Sequence, residues 1–138
     1  MKALSSVAFR SMFLVVTAFT CVPSDAAPYK AAASEIALLP KFCYQQYVDG
    51  VSGPEYSFPP ADSCGYAMNH YCGGLISLIR AKRVVGNPRE RQTKLAVARA
   101  DVVYTVKGME QYPACPIRDH VNATLTEIDF LMKIYGKK

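Results

Sequence analysis

The first 26 residues constrain this chain more than any other stretch, because they set the chemistry open to every cysteine that follows. Lys2 and Arg10 make a basic start, Met12 to Val22 is apolar and uncharged, and Ser24-Asp25-Ala26 closes the segment with small residues where a signal peptidase reads. The pattern predicts a cleavable secretory signal over 1–26. The apolar run is about half of the ~20 residues that span a bilayer, so the expectation is export without a membrane span. A lipid anchor on Cys21 is disfavoured because Thr20 is larger than the residue usual before a lipidated cysteine.

Cleavage after Ala26 leaves four cysteines, Cys43, Cys64, Cys72 and Cys115, in an oxidising compartment, which is the arithmetic of two disulfides. The whole chain has 16 Lys+Arg against 11 Asp+Glu; losing Lys2, Arg10 and Asp25 takes the formal net charge from +5 to +4. That length and balance fit one small domain, which gains from covalent staples at this size.

Residues 27–63 read as an arm rich in Pro, Gly, Tyr and Ser, with one short helix across Ser34 to Tyr47 that Pro40 kinks or divides. From about residue 64 to 138 three segments carry apolar residues at helical spacing. The first, about Gly65 to Arg83, sets Met68, Cys72, Leu75 and Ile79 on one stripe with Tyr71 and Leu78 beside it, and forms the centre of the domain. The second has the clearest start: Asn87 as N-cap, Pro88 in the first helical position and Glu90 at the capping-box position, with Gly108 as its stop. Its stripe is Leu95, Ala98, Val102, Val106 and Met109. Ala96, Ala100 and Val103 suggest a second packed face of small residues. The third begins near Pro116 and aligns Ile117, Val121, Leu125, Ile128, Met132 and Tyr135, with Asp119 and Lys133 suiting the helix dipole. Short connections imply an antiparallel up-down-up bundle, so the expected fold class is all-α.

Three cysteine pairings exist in principle. If Cys64 and Cys72 both lie on the first helix they stand ~12 Å apart along its axis, beyond the ~7 Å Cα limit of a disulfide. An up-down-up layout puts the starts of the first and third helices at one end, which favours Cys64 with Cys115. The arm then crosses the first helix to join Cys43 to Cys72.

The stretch MNHYCGGLISLIRAKR, preceded by LPKFC and followed by Ala98-x-x-Asp101-x-x-Tyr104, resembles a group of exported bacterial proteins of the tetratricopeptide type. The resemblance covers roughly Leu39 to Tyr104. With Thr126 to Lys137 similar to the first helix of a further repeat, it implies about one and a half repeat units. It implies a helical scaffold for protein contacts and carries over no catalytic residue.

His70, His120, Cys72 and Cys115 are the residue types of a zinc site, but His70 and Cys72 point about 200° apart on a helix and cannot chelate one ion. His70 is expected to face solvent or bond to the Cys43 arm. No haem-attachment motif, thioredoxin-like Cys-x-x-Cys, phosphate loop or nucleophile elbow occurs, so neither a cofactor nor an enzymatic activity is expected. Asn122-Ala123-Thr124 matches a glycosylation sequon, here a coincidence on a helix of a bacterial-looking chain.

Two surfaces remain. Arg80, Lys82, Arg83, Arg89, Arg91 and Lys94, with Arg99 further on, gather where the first helix turns into the second, and suit an acidic protein, anionic lipid headgroups or an acidic polysaccharide. Nucleic acid is not expected, since the protein is exported and no aromatic residue interleaves the cluster to stack on bases. Tyr44, Tyr47, Tyr56, Tyr66 and Tyr71, with Phe42 and Phe58, crowd the arm and the start of the first helix. Most should pack the arm down, and any left exposed makes a contact patch. The expectation is a secreted or periplasmic module that binds another envelope macromolecule, most simply a protein. The competing reading is a small inhibitor or immunity-type protein that blocks an enzyme or toxin.

Overall fold

The structure, a computed structural model, describes residues 30–136, so the expected signal segment and Cys21 lie outside the described residues. Among those residues there is no strand, and the chain is all-α. The arm holds helix α1 (Ala33–Ile36), a 3-10 helix over Lys41–Gln46 and a 3-10 turn at Pro54–Tyr56. Helix α2 (Ala61–Cys64) leads into α3 (Met68–Arg83), α4 (Pro88–Gly108) and α5 (Arg118–Tyr135).

The predicted arm helix over Ser34 to Tyr47 is two pieces. Pro40 occupies the N-cap position of the 3-10 helix in extended geometry, so the chain leaves α1 and starts again. The predicted start of α3 at Gly65 is also corrected. Gly65 adopts φ +77, a left-handed conformation that ends α2 and re-aims the chain three residues before α3 begins. Cys64 therefore sits on α2, outside the helix that carries Cys72. The start of α4 is as its sequence suggests: Glu90 N–H donates to Asn87 Oδ1 at 3.1 Å, and Asn87 Nδ2 donates back to Glu90 Oε2 at 3.3 Å. Helix α5 begins at Arg118, two residues after Pro116.

Contacts fix the topology. Ala67 meets Thr105 near one end of the α3–α4 pair and Gly74 meets Ala98 and Val102 further along, so these two helices run antiparallel. Arg99 pairs with Asp129, and Gln92 reaches Met132, so α4 and α5 are antiparallel too. The crossing of α3 on α4 is close because residue 74 is glycine. A Cβ there would stand 2.9 Å from Val102 Cγ2 and 3.2 Å from the Ala98 carbonyl oxygen. The close approach sits on Gly74 rather than on the small-residue face expected of α4. Ala96 and Ala100 are exposed and Val103 only half-buried, so α4 meets both neighbours through one face built on Leu95, Ala98, Val102, Thr105 and Met109.

Helix α3 is the central element, with more of its circumference covered than the single expected stripe. Met68, Tyr71, Leu78 and Ala81 join the main core with α4 and α5. Cys72 and Ile76 face the arm, where Leu39 and Cys43 close a second cluster. Each fully buried aliphatic side chain of this kind contributes ~1.5–3 kcal/mol. Tyr71, fully buried, donates its hydroxyl to Thr124 Oγ1 at 2.9 Å, because Thr124 spends its own proton on the His120 carbonyl at 3.0 Å. Burial pushes the Tyr71 phenol up to about 12.

Two disulfides staple the bundle, Cys43 to Cys72 and Cys64 to Cys115, with Cα separations of 5.6 and 4.8 Å. These are the pairs the up-down-up layout suggested, although the geometric reason differs, since the break at Gly65 removes the premise that Cys64 and Cys72 share a helix. No helix among the described residues is long and apolar enough to cross a membrane.

Candidate functional site

The basic end is largely engaged within the molecule. Arg80 forks onto Glu35, Nε to Oε1 at 2.8 Å and Nη2 to Oε2 at 2.9 Å, and also donates to the Lys30 carbonyl at 2.7 Å. Glu35 accepts the Ala32 N–H at 2.8 Å as well. The Arg80 guanidinium holds this carboxyl down at about 2 against the opposing effect of burial, and Arg80 is in turn shifted up. Lys82 pairs with Glu127 at 2.6 Å, Lys94 with Glu90 at 3.3 Å and Arg99 with Asp129 at 2.7 Å. Arg83 donates to the Ser34 carbonyl at 3.1 Å. Arg91 donates to the Val84 carbonyl and lies 4.1 Å over the Tyr135 ring. Arg89 alone of this group has a side chain with no hydrogen bond or ion pair among the described residues; its carbonyl accepts from Thr93 Oγ1 at 3.0 Å. The residues of the expected basic patch thus share one end of the bundle, but chiefly fasten the arm, the α3–α4 turn and α5 to one another.

The tyrosines divide as the arm requires. Phe42 stacks on buried Tyr71 with ring centroids 6.4 Å apart, Tyr44 meets Tyr56 at 5.9 Å, and Phe58 packs on the core. Tyr66 is the exception, at 88% exposure. It sits on the turn between α2 and α3, and three features fix that turn. Cys64, two residues before it, is bonded to Cys115. Gly65 packs so closely that a Cβ would stand 2.9 Å from the Gly108 carbonyl oxygen and 3.0 Å from the Tyr112 ring. Ala67, on its other side, has its carbonyl held by Thr105 Oγ1 at 3.1 Å, and Thr105 is fully buried.

Beside this turn opens a groove of about 610 Å³, walled by the start of α3 and the end of α4 and lined by Tyr66, His70, Tyr104, Tyr112, Asn69 and Gln111, with Lys107 on its edge. A second hollow of about 360 Å³ lies on the other side of Tyr66 and Asn69, against Phe58, Pro59 and Pro60. Tyr66 is the ridge between the two. His70 does not reach the Cys43 arm as one expectation had it; its Nδ1 lies 3.3 Å from Asp101 Oδ1 on α4, and its ring sits 4.3 Å from that of Tyr104. Asp101 is thereby turned under the imidazole, its side chain 15% exposed, and Tyr104 stays 58% exposed. His120 is elsewhere, edge-on to Tyr71 at 6.0 Å.

Chemically the groove is a set of rigidly mounted ring faces with amide donors and one ammonium, and no carboxylate lines it. Tyr104, Lys107, Gln111 and Tyr112 were missed as site residues by sequence reading. The one signal that touched them was the Ala98-x-x-Asp101-x-x-Tyr104 spacing, which placed Tyr104 on the α4 helix without showing that it would face Tyr66. No family model, curated protein or solved structure matches this chain.

Proposed function

We propose that this chain is an exported helical binding module, its three long helices corresponding to about one and a half tetratricopeptide-like units, that engages a protein partner in the cell envelope through the groove around Tyr66. The carrying observation is Tyr66 itself, 88% exposed on a turn clamped by the Cys64–Cys115 disulfide and lining the same groove as the exposed Tyr104. An aromatic side chain held out in water by a rigid scaffold forgoes burial in the free protein and has little entropy left to lose on contact, the profile of a binding hot spot. The disulfides agree with an oxidising compartment, and the signal-like segment supports export.

The test is capture from envelope extract by the oxidised protein and by two variants. The first carries Tyr66→Ser with Tyr104→Ser; the second carries Arg83→Glu with Arg89→Glu, which replaces neither member of the Glu35–Arg80 fork. One stoichiometric partner lost by the tyrosine variant and kept by the arginine variant supports the groove. A partner lost only by the arginine variant transfers function to the basic end, and the absence of any stoichiometric partner overturns the reading.

A further inference from the structure

The two hollows share Gly65, Tyr66 and Asn69 in their walls, and the chemistry of this track across Tyr66 narrows the class of occupant. Among the recurring ways of binding a peptide segment are adding a strand to a sheet edge, seating an amphipathic helix in an apolar groove, and laying a polyproline II segment across aromatic rings. The first mode needs an open sheet edge, and there is no strand among the described residues. The second needs a continuous apolar floor, whereas Asn69, His70 and Gln111 interrupt this one. The third needs ring faces separated by hollows, with donors beside them, because proline carbonyls accept hydrogen bonds while proline nitrogen has no proton to give. Tyr66 and Tyr104 supply the faces. Asn69 and Gln111 supply amide donors that make no hydrogen bond among the described residues. A polyproline II segment also arrives already extended, so it loses little conformational entropy on a shallow surface.

Charge sets the polarity of the ligand. Lys107, at the edge of the larger hollow, makes no ion pair among the described residues, and the lining offers no carboxylate to oppose it. Of the acids near Lys107, Asp101 is covered by His70, and Glu110, whose amide donates to the Lys107 carbonyl at 3.2 Å, does not line the hollow. We propose that the track across Tyr66 binds an extended, proline-rich segment of a partner protein, its prolines against Tyr66 and Tyr104 and an acidic residue at its Lys107 end. This deepens the function proposed above and rests on it.

The test uses the full oxidised protein and short fluorescein-labelled peptides read by fluorescence anisotropy: a proline-rich peptide with an acidic flank, its basic-flanked twin, and an acidic peptide with every proline replaced by alanine. The acidic proline-rich peptide is expected to bind, and the alanine peptide to bind at least about tenfold more weakly. Tyr66→Ala and Tyr104→Ala should each weaken binding about tenfold, the usual consequence of losing an aromatic anchor. Lys107→Glu should reverse the preference between the acidic and basic flanks. All three side chains are exposed, so these variants keep the fold, and unchanged far-ultraviolet circular dichroism verifies it. Equal binding of the proline and alanine peptides, or affinity indifferent to Tyr66, overturns the inference. A protein captured from extract in a Tyr66-dependent way, whose contact segment mapped by cross-linking contains no proline, overturns this inference alone. Loss of Tyr66-dependent capture overturns the functional reading beneath it as well.

Discussion

The fork between Arg80 and Glu35 is the main polar fastening of the arm, and it makes the arm sensitive to acid. Three donors converge on the Glu35 carboxylate: both Arg80 nitrogens, at 2.8 and 2.9 Å, and the Ala32 amide at 2.8 Å. They lower its pKa from the ordinary 4.5 to about 2. The folded value lies below the unfolded one, so the contribution is fully present above 4.5 and is lost as pH falls from there towards 2. Fully realised, a shift of that size is worth about 3.4 kcal/mol. The Arg80 side chain is 34% exposed and the pair lies at the edge of the bundle, so screening by water reduces the expected contribution to about 1–2 kcal/mol. Two measurements check this. Carboxyl carbon NMR of the wild-type protein should show Glu35 titrating near 2 and moving back towards 4.5 in Arg80→Met. Urea unfolding of wild type, Glu35→Gln, Arg80→Met and the double variant at about pH 6 should give a coupling of about 1–2 kcal/mol that shrinks as pH falls below 4.5 and is mostly gone by about pH 2. A Glu35 midpoint in the normal carboxylate range, or zero coupling near neutral pH, would refute the assignment of this pair as the arm's anchor.

Gly74→Ala should destabilise the protein by about 1–2 kcal/mol in chemical denaturation, because overpacking against Val102 and the Ala98 carbonyl outweighs the ~1 kcal/mol gained in helix propensity. Replacing Cys64 and Cys115 together by alanine opens a closure of sequence separation 51, which chain entropy values at about 4 kcal/mol. The loop closed by Cys43–Cys72 overlaps it, so a loss of about 2–4 kcal/mol is expected in thermal unfolding, and a loss under about 1 kcal/mol would deny the clamp its role. Tyr71→Phe leaves Thr124 Oγ1 without its donor and should cost about 1 kcal/mol. Since the Tyr71 phenol is raised from 10.0 to about 12, its share of wild-type stability holds below 10 and falls away as pH rises towards 12, a loss that the phenylalanine variant should not show in alkaline unfolding. His70→Ala removes a lining ring beside Tyr104 and uncovers Asp101, and should weaken binding of the acidic-flanked peptide a few-fold.

Much of the scaffold was legible from local pattern. A helical period needs only neighbouring residues to declare itself, so α3, α4 and α5 and the Asn87 cap could be read directly, and their order then limited the cysteine pairs. Local pattern failed wherever a distant segment supplied the reason. Ile76, outside the α3 stripe read from the sequence, is buried because the arm covers it, and Ala96 and Ala100 resembled a packing face although both are exposed. The six residues of the basic end looked like one free patch. Arg80 finds Glu35 across 45 residues of sequence, and Lys82 finds Glu127 on α5. The groove is the furthest case. His70 meets Asp101 across 31 residues, and Tyr66 comes to face the end of α4 only because Gly65 and the Cys64–Cys115 bond hold that turn against it. By itself the sequence determined that three long segments are helical and alternate in direction, and that four of its five cysteines could form two pairs. Which charges remain available and which aromatic rings share a surface was decided by tertiary packing, because charge pairing and surface exposure depend on distances between segments that no periodicity within one segment encodes.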